Sequence, residues 1–431
     1  VNVGAITSSA DPVLPVWRDP QAWARTADVV AVLIALALPW STSLVGIFVV
    51  VWVIAVVPTL DPGAFTASLK HPISALPIAL FALAVVGTLW SDAPWGARLY
   101  AISPTAKLLV LPILLYHYQR STRGMSVLTA FLVSCALLMA ASWIVAFDPG
   151  LSLKPKLEAE RGIFVKNYID QSQEFALCAV ALAYPIVTLL RTQRVVSALL
   201  LAALALSFAI NMTFVIVSRT AIVTMPVMLA VFALLHLKRR SIVIIACLAV
   251  VFAGLAWVAS PQLRRTTGTF MRDYRLYKEQ NIPTSIGLRL EFWQKSLRFF
   301  VEAPLFGHGT GSTRGLFEQA AVGHSGDASA EVIGNPHNQT LNVAIQWGTL
   351  GIVVLYAMWL LHLLLFRGEG LVAWIGLLVV VQNIFTSLFN SHIFDFHEGW
   401  MYVLGVGVAG GMVLGKKPRE APREAGDSAR S

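Results

Sequence analysis

Charge is scarce in this chain. Only 13% of its 431 residues are Asp, Glu, Lys or Arg, against 57% hydrophobic residues, and the mean hydropathy is +0.70. A water-soluble globule carries about 25% charged residues, so the composition excludes that class. Cysteine is scarcer still. Cys135, Cys178 and Cys247 all lie in apolar runs, where they read as small core residues rather than a disulfide or metal set. No Asp-x-Asp pair accompanies the basic segments to hold a divalent cation. No strand–loop–helix unit surrounds the glycine-rich loop, which removes dinucleotide and P-loop folds. Val1 to Arg25 is polar and carries Pro, Trp and Arg, so no cleavable signal peptide is read there.

What the chain does have is repeated apolar runs near the ~20 residues needed to cross a bilayer, which predicts an all-α polytopic membrane protein of about twelve transmembrane helices. The expected spans begin with Val29–Trp40, Leu44–Leu60, Pro72–Trp90, Ile102–Tyr116, Val127–Phe147 and Phe175–Leu190. Val195–Val217, Ala221–Leu237, Ile242–Ala259, Val343–Phe366, Leu371–Phe389 and Trp400–Leu414 follow. In the first pair, Pro39 and the Ser41-Thr42-Ser43 turn favour two helices over one.

Lys/Arg placement orients these spans. With a cytoplasmic N-terminus, Arg120–Arg123, Arg191–Arg194, Lys238-Arg239-Arg240, Arg367 and the basic tail all fall inside. The net charge of +9 is then membrane topology, with no nucleic acid implied. The expected division is a membrane domain over 1–259, a large outer loop over 260–335 carrying short helices, a second membrane part over 336–414, and a disordered cytoplasmic tail over 415–431. A smaller outer loop, Asp148 to Asp170, holds Lys154, Lys156, Arg161 and Lys166, with Tyr168 close behind. These cations need acidic neighbours, lipid headgroups or an anionic substrate as partners, and Asp273, Glu279, Glu291 and Glu302 are available for solvated pairing.

The segment Asn335 to Gly351, NPHNQTLNVAIQWGTLG, is the most informative. Asn335 as N-cap and Pro336 as first helical residue predict a helix start there, with His337 in the first turn. The positive end of the helix dipole would oppose protonation of that imidazole, leaving a proton acceptor near neutral pH. His337, Leu341, Ala344, Gly348 and Gly351 would share a face of small residues permitting close helix contact. Asn338, Asn342 and Gln346 form a polar stripe expected to face protein or a wet cavity. The structural alternative is a capping histidine above a tightly packed helix.

Two further segments stand out. Thr284 to Trp293 opens an amphipathic helix, capped by Thr284 or Ser285, with Leu290, Trp293, Leu297 and Phe300 on one face and Pro304 after it. Arg289 lies off that stripe, either facing an aqueous site or snorkelling at the surface. The loop Pro304-Leu305-Phe306-Gly307-His308-Gly309-Thr310-Gly311 could bring backbone N–H groups to an anion or sugar, or be a plain turn. Arg219, in Ser218-Arg219-Thr220, sits between two apolar spans where a helix C-terminus would welcome it.

The pattern His-Asn, nine residues, Gly-x-x-Gly at His337–Gly351 resembles the signature of the bacterial O-antigen ligase family, whose superfamily includes O-antigen polymerases. Pro-Leu-Phe-Gly-x-Gly-x-Gly resembles the same superfamily, and Arg219 looks like the family's essential arginine on a tight extracytoplasmic hairpin. The resemblance implies a GT-C-like membrane glycosyltransferase at the periplasmic face of a Gram-negative inner membrane. Its donor would be an O-antigen glycan on undecaprenyl diphosphate and its acceptor the lipid A–core oligosaccharide, with membrane lipids around it. No cofactor and no metal are implied. His337 would be the base, and Arg219 and Arg289 would stabilise the departing diphosphate, with Arg161, Lys166, Tyr168 and Asn338 as substrate-binding candidates. Asp395 or Glu398 is the alternative base, and His308, His324, His392 and His397 read as surface or turn residues. Rival functions are an O-antigen polymerase, a protein O-oligosaccharyltransferase, or a lipid-linked glycan flippase or transporter. A transporter would be expected to line a path through the bilayer with polar residues. Here the notable polar groups cluster at one surface, although Lys107 and Glu174 lie within or near spans, where snorkelling or interfacial pairing would explain both.

Overall fold

Short polar residues before apolar runs start the helices of this chain. The computed structural model describes residues 19–153, 162–216 and 218–416, and among these the fold is entirely helical. Asp19 caps α1 (Pro20–Ala37) and Ser41 caps α2 (Thr42–Val56), each side chain accepting from a first-turn backbone N–H. The first expected pair is therefore two helices. Next come α3 (Pro62–Leu69) and α4 (Pro72–Val86), bent by 76° to each other, and α5 (Trp95–Ile102), which runs through a 3₁₀ turn into α6 (Val110–Tyr118). The long α7 (Gly124–Phe147) precedes α8 (Tyr168–Ala181), α9 (Ala183–Arg191) and α10 (Val195–Phe214). After α11 (Arg219–His236) and α12 (Arg239–Ala259), the large loop holds α13 (Pro261–Gln280), α14 (Ser285–Glu302) and α15 (Thr313–Ala320). The chain returns through α16 (Gln339–Leu365), α17 (Leu371–Thr386) and α18 (Phe396–Lys416).

Each expected span contains helix. Among the described residues seven stretches are long and apolar enough to cross a bilayer, or eight if the bent α3–α4 pair counts as one, so the expected count of twelve is not confirmed. The apolar parts of α11 (Val223–His236) and α17 fall short of a straight crossing. The protein is a multi-pass membrane protein built around α18. That helix packs on α6 and α17, and 78% of its apolar window is buried against 50% or less for the other candidate spans. Trp52, Trp347, Trp374, Phe175 and Phe208 are among the largest fully buried side chains of the interior. Cys135 and Cys178 are buried as expected, whereas Cys247 on α12 is exposed.

The large loop has a small core of its own, where Phe292 and Phe299 of α14 meet Phe317 of α15 and Ile345 of α16. Thr284 caps α14 by accepting from Gly287 N. Its inward face is Phe292, Lys295, Ser296 and Phe299 rather than the expected Leu290–Phe300 stripe, and Leu297 is 53% exposed. The rotation follows from α14 packing on α13 and α16, so its aromatic residues serve the loop core. Glu302 pairs with Arg298 at the surface, as solvated pairing would have it, whereas the Glu291–Lys295 pair is largely enclosed.

α16 departs most from the expected continuous helix. It breaks at Gly348 (φ 59, ψ −152), a conformation reserved almost wholly for glycine. A break inside a membrane protein leaves carbonyls and N–H groups that must be satisfied by protein. The loop from Pro304 supplies the partners. His308 N and Gly309 N donate to the Ile345 and Gln346 carbonyls at 2.8 and 2.9 Å, and Thr349 N and Leu350 N donate to the Pro304 and Leu305 carbonyls at 2.8 and 3.2 Å. The loop's alternating glycines thus serve close approach to the broken helix. A Cβ on Gly307 (φ +64) would lie 2.5 Å from the Gln346 backbone. The expectation that these N–H groups meet an anion or sugar is corrected for His308 and Gly309, and also for Gly311, whose N–H donates to Gln346 Oε1 at 2.9 Å.

Candidate active site

The helix after Asn335 starts later than its sequence suggests. Asn338 is the N-cap of α16, its Oδ1 accepting from Leu341 N, and Gln339 is the first helical residue. His337 stands before the helix in a left-handed conformation (φ 53), so the first-turn dipole argument does not apply to it. The cause is a local competition for Asn335. Its Oδ1 accepts from His337 N at 3.0 Å and from Ser391 Oγ at 2.7 Å, which makes a tight turn in place of a helix cap.

That turn aims the half-buried imidazole at the loop joining α17 to α18. His337 Nδ1 lies 2.9 Å from Asn390 Oδ1, and Asn390 Nδ2 donates to Asp395 Oδ2 at 2.5 Å. The carboxylate accepts only, so it holds the Asn390 amide with its oxygen toward His337. An amide oxygen cannot donate. His337 Nδ1 is therefore the donor, and in the neutral imidazole this leaves the lone pair on Nε2. Among the described residues Nε2 has no hydrogen-bond partner. Phe292 of α14 flanks the ring, with centroids 6.3 Å apart.

Asn342 and Gln346 continue this network inward, as the polar stripe led one to expect. Asn342 Nδ2 donates to Ser391 Oγ at 3.1 Å, and Gln346 Nε2 donates to Asn342 Oδ1 at 2.9 Å. Asn338 is spent on structure, since besides capping α16 it donates from Nδ2 to the Leu388 carbonyl.

The basic candidates separate. Lys166 is buried and paired with Glu174 at 3.0 Å, while also donating to the Leu38 carbonyl. Its charge is paired with a carboxylate inside the protein. Glu174 and Lys107 are likewise buried rather than snorkelling, Lys107 donating to the Phe394 and Asp395 carbonyls. Arg289 is half-buried and engaged with a neighbour, one helical turn before Phe292 and on the same flank of α14. Arg219 opens α11 with Ser218 at the N-cap position, a helix start where a C-terminus was expected. Tyr168 is 39% exposed in the first turn of α8, and Arg161 lies outside the described residues.

Sequence reasoning missed a buried polar cluster behind His337. His392, expected at the surface or in a turn, lies in a turn but is only 1% exposed, with Nδ1 3.4 Å from Asp395 Oδ2 and 3.6 Å from Glu398 Oε1. Burial alone would lower its pKa, but Glu398 and Asp395 outweigh that and push it up to about 9. The two carboxylates thus favour the protonated form of His392. The ligand atoms of His392, Asp395 and Glu398 lie within 4.8 Å of one another, a spacing that also suits a metal ion. His397, likewise expected at the surface or in a turn, is buried in α18 and reaches Asp170 at 2.5 Å. Asp170 to Glu174 form five consecutive buried polar residues on α8. His308 and His324 are tied to the Phe299 carbonyl and to Asp327.

Comparison with known families gives one finding. Residues 201–356, running from α10 into the half of α16 beyond Gly348, match the family model described as O-Antigen ligase. No curated protein matches the chain.

Proposed function

We propose that this chain belongs to the O-antigen ligase/polymerase superfamily and is an O-antigen ligase that moves a glycan from undecaprenyl diphosphate to a sugar hydroxyl of lipid A–core. The observation that carries the reading is the His337–Asn390–Asp395 relay, which leaves His337 Nε2 as a positioned proton acceptor at one end of the helix bundle. In the proposed step Nε2 takes the proton of the acceptor hydroxyl as its oxygen attacks the anomeric carbon. The bond from that carbon to the diphosphate oxygen breaks, and the electron pair leaves on the diphosphate. Arg289, a turn from the ring that flanks His337, and Arg219 at the start of α11 stabilise that charge with planar forks that lysine cannot reproduce. Arg161 and Tyr168 are assigned to donor binding. The donor carries its own activated leaving group, so nucleotide is unnecessary.

We place this site on the periplasmic face of a Gram-negative inner membrane. Support comes from the basic loops Arg120–Arg123, Arg191–Arg194 and Lys238–Arg240, which lie at the other end of the bundle from His337. Residues 1–259 and 336–414 would then form the GT-C-like membrane domain and 260–335 the periplasmic loop; 417–431 of the expected tail lie outside the described residues.

Reconstitution tests the proposal. Purified protein in vesicles should join undecaprenyl-diphosphate glycan to lipid A–core without nucleotide and in excess EDTA. It should consume donor on the face where an impermeant thiol reagent reaches a cysteine placed in Gly323–Ala330. Loss of activity in EDTA with recovery on Mg²⁺ would defeat the arginine clamp and turn attention to His392, Asp395 and Glu398 as cation ligands. Elongation of the lipid-linked glycan without transfer to lipid A–core would make the protein a polymerase.

A further inference from the structure

At the far end of α16 from His337, a cavity of about 710 Å³ opens between α9, α11, α16 and α17. The intervening 27 residues span about 40 Å at 1.5 Å per residue, less the shortening at Gly348, so this cavity is remote from the reacting groups. Arg191, Arg367 and Glu369 are its charged lining. Arg191 Nη2 donates to the His236 carbonyl at 2.8 Å, which caps the end of α11 and holds the guanidinium at the cavity wall. Arg367 is exposed and has no ion-pair partner among the described residues. Trp374 and Tyr184 pack edge-on to His236 at 5.4 and 5.3 Å, a rigid aromatic wall of the kind found where membrane meets water. Beside it Leu234 and Leu235 are 74% and 58% exposed. Arg194, Lys238, Arg239 and Arg240 are exposed nearby and add to the positive field.

We propose that this cavity is a binding site for an anionic phospholipid of the phosphatidylglycerol type. Two guanidiniums and one carboxylate leave a net charge of +1, which one phosphodiester neutralises. The phosphate lies on Arg191 and Arg367, the glycerol hydroxyls donate to Glu369, and an acyl chain covers Leu234 and Leu235. Clustered cations at the end of a helix bundle favour such lipids by charge alone, and the aromatic wall adds a defined pocket. A polyprenyl diphosphate carries the same phosphate chemistry but more charge than the cavity balances, and here it would sit far from His337.

Native mass spectrometry of the full-length protein, titrated with phosphatidylglycerol, phosphatidylcholine or undecaprenyl phosphate, tests this directly. Phosphatidylglycerol should be retained preferentially. Arg367→Gln should weaken its retention about tenfold, the loss of one charge-assisted contact. Arg367 makes no helix-capping bond, so this variant avoids the packing change that Arg191→Gln would bring. Arg298→Gln, on an exposed cation of α14, should leave retention as in the wild type. Equal retention of phosphatidylcholine, preference for undecaprenyl phosphate, or an Arg367→Gln variant that retains phosphatidylglycerol fully would each overturn the proposal. None of these outcomes depends on the glycan-transfer reading.

Discussion

His337→Gln is expected to lower the rate of glycan transfer by about 10²–10⁴-fold, the usual cost of removing a positioned general base. The side-chain amide of glutamine can still donate to Asn390 Oδ1, so the hydrogen bond that orients residue 337 survives while the lone pair of Nε2 is lost. His337→Ala should lose activity to a similar extent. Neither should reduce folded yield much, because His337 is half-buried and its turn is held mainly by the Asn335 side chain on the residue 337 backbone. Transfer rates normalised to folded protein check this. A fully active Gln variant would reduce His337 to an orienting residue and move the base to Asp395 or Glu398.

Gly348→Ala should be the most damaging small substitution in the fold. At φ 59 and ψ −152 any side chain is strained, by on the order of 1–3 kcal/mol. The added Cβ would also lie 2.5 Å from the Leu305 backbone, in the loop that satisfies the broken helix. That neighbour is main chain and cannot rotate away. Either the loop is expelled, leaving the Ile345 and Gln346 carbonyls without donors, or the helix straightens and shifts the turn that holds His337. A total loss of about 3 kcal/mol or more is expected, with activity falling alongside it. Gly323→Ala separates the two causes, since Gly323 also has positive φ (+85) but nothing within 4 Å of an added Cβ. Thermal unfolding in detergent should place Gly323→Ala near the wild type and Gly348→Ala far below it. Equal midpoints for the two would remove the clash from the account.

The contrast between these sites shows what can be read from a chain of this kind. Membrane class follows from composition, and caps such as Ser41 and Thr284 follow from local chemistry, so both were legible. Asn335 was misread because its oxygen is claimed by Ser391, 56 residues away. Gly348 and the loop of Gly307 and Gly309 were each noticed, but nothing local says that one is the hydrogen-bond partner of the other. Asn390 was passed over altogether, since an isolated asparagine between two apolar spans reads as a turn until Asp395 and His337 are found on either side of it. Burial was the least legible property. Lys166 and Asp170 to Glu174 are polar in sequence yet enclosed in the structure, where Lys166 pairs with Glu174 and Asp170 with His397. The resemblance in wording around His337 picked out the residue itself, while its helix position and the relay behind it required the fold.

The anomeric configuration of the transferred sugar tests the proposed chemistry most directly. With a short donor glycan of known linkage to diphosphate, one NMR spectrum of the product reads the new glycosidic bond. Direct attack by a hydroxyl deprotonated at His337 Nε2 displaces the diphosphate from the opposite face, so the product linkage should be inverted relative to the donor. Retention would contradict the account. It would require two displacements through a glycosyl group held on the protein, with a carboxylate such as Asp395 or Glu398 rather than His337 at the centre of the reaction.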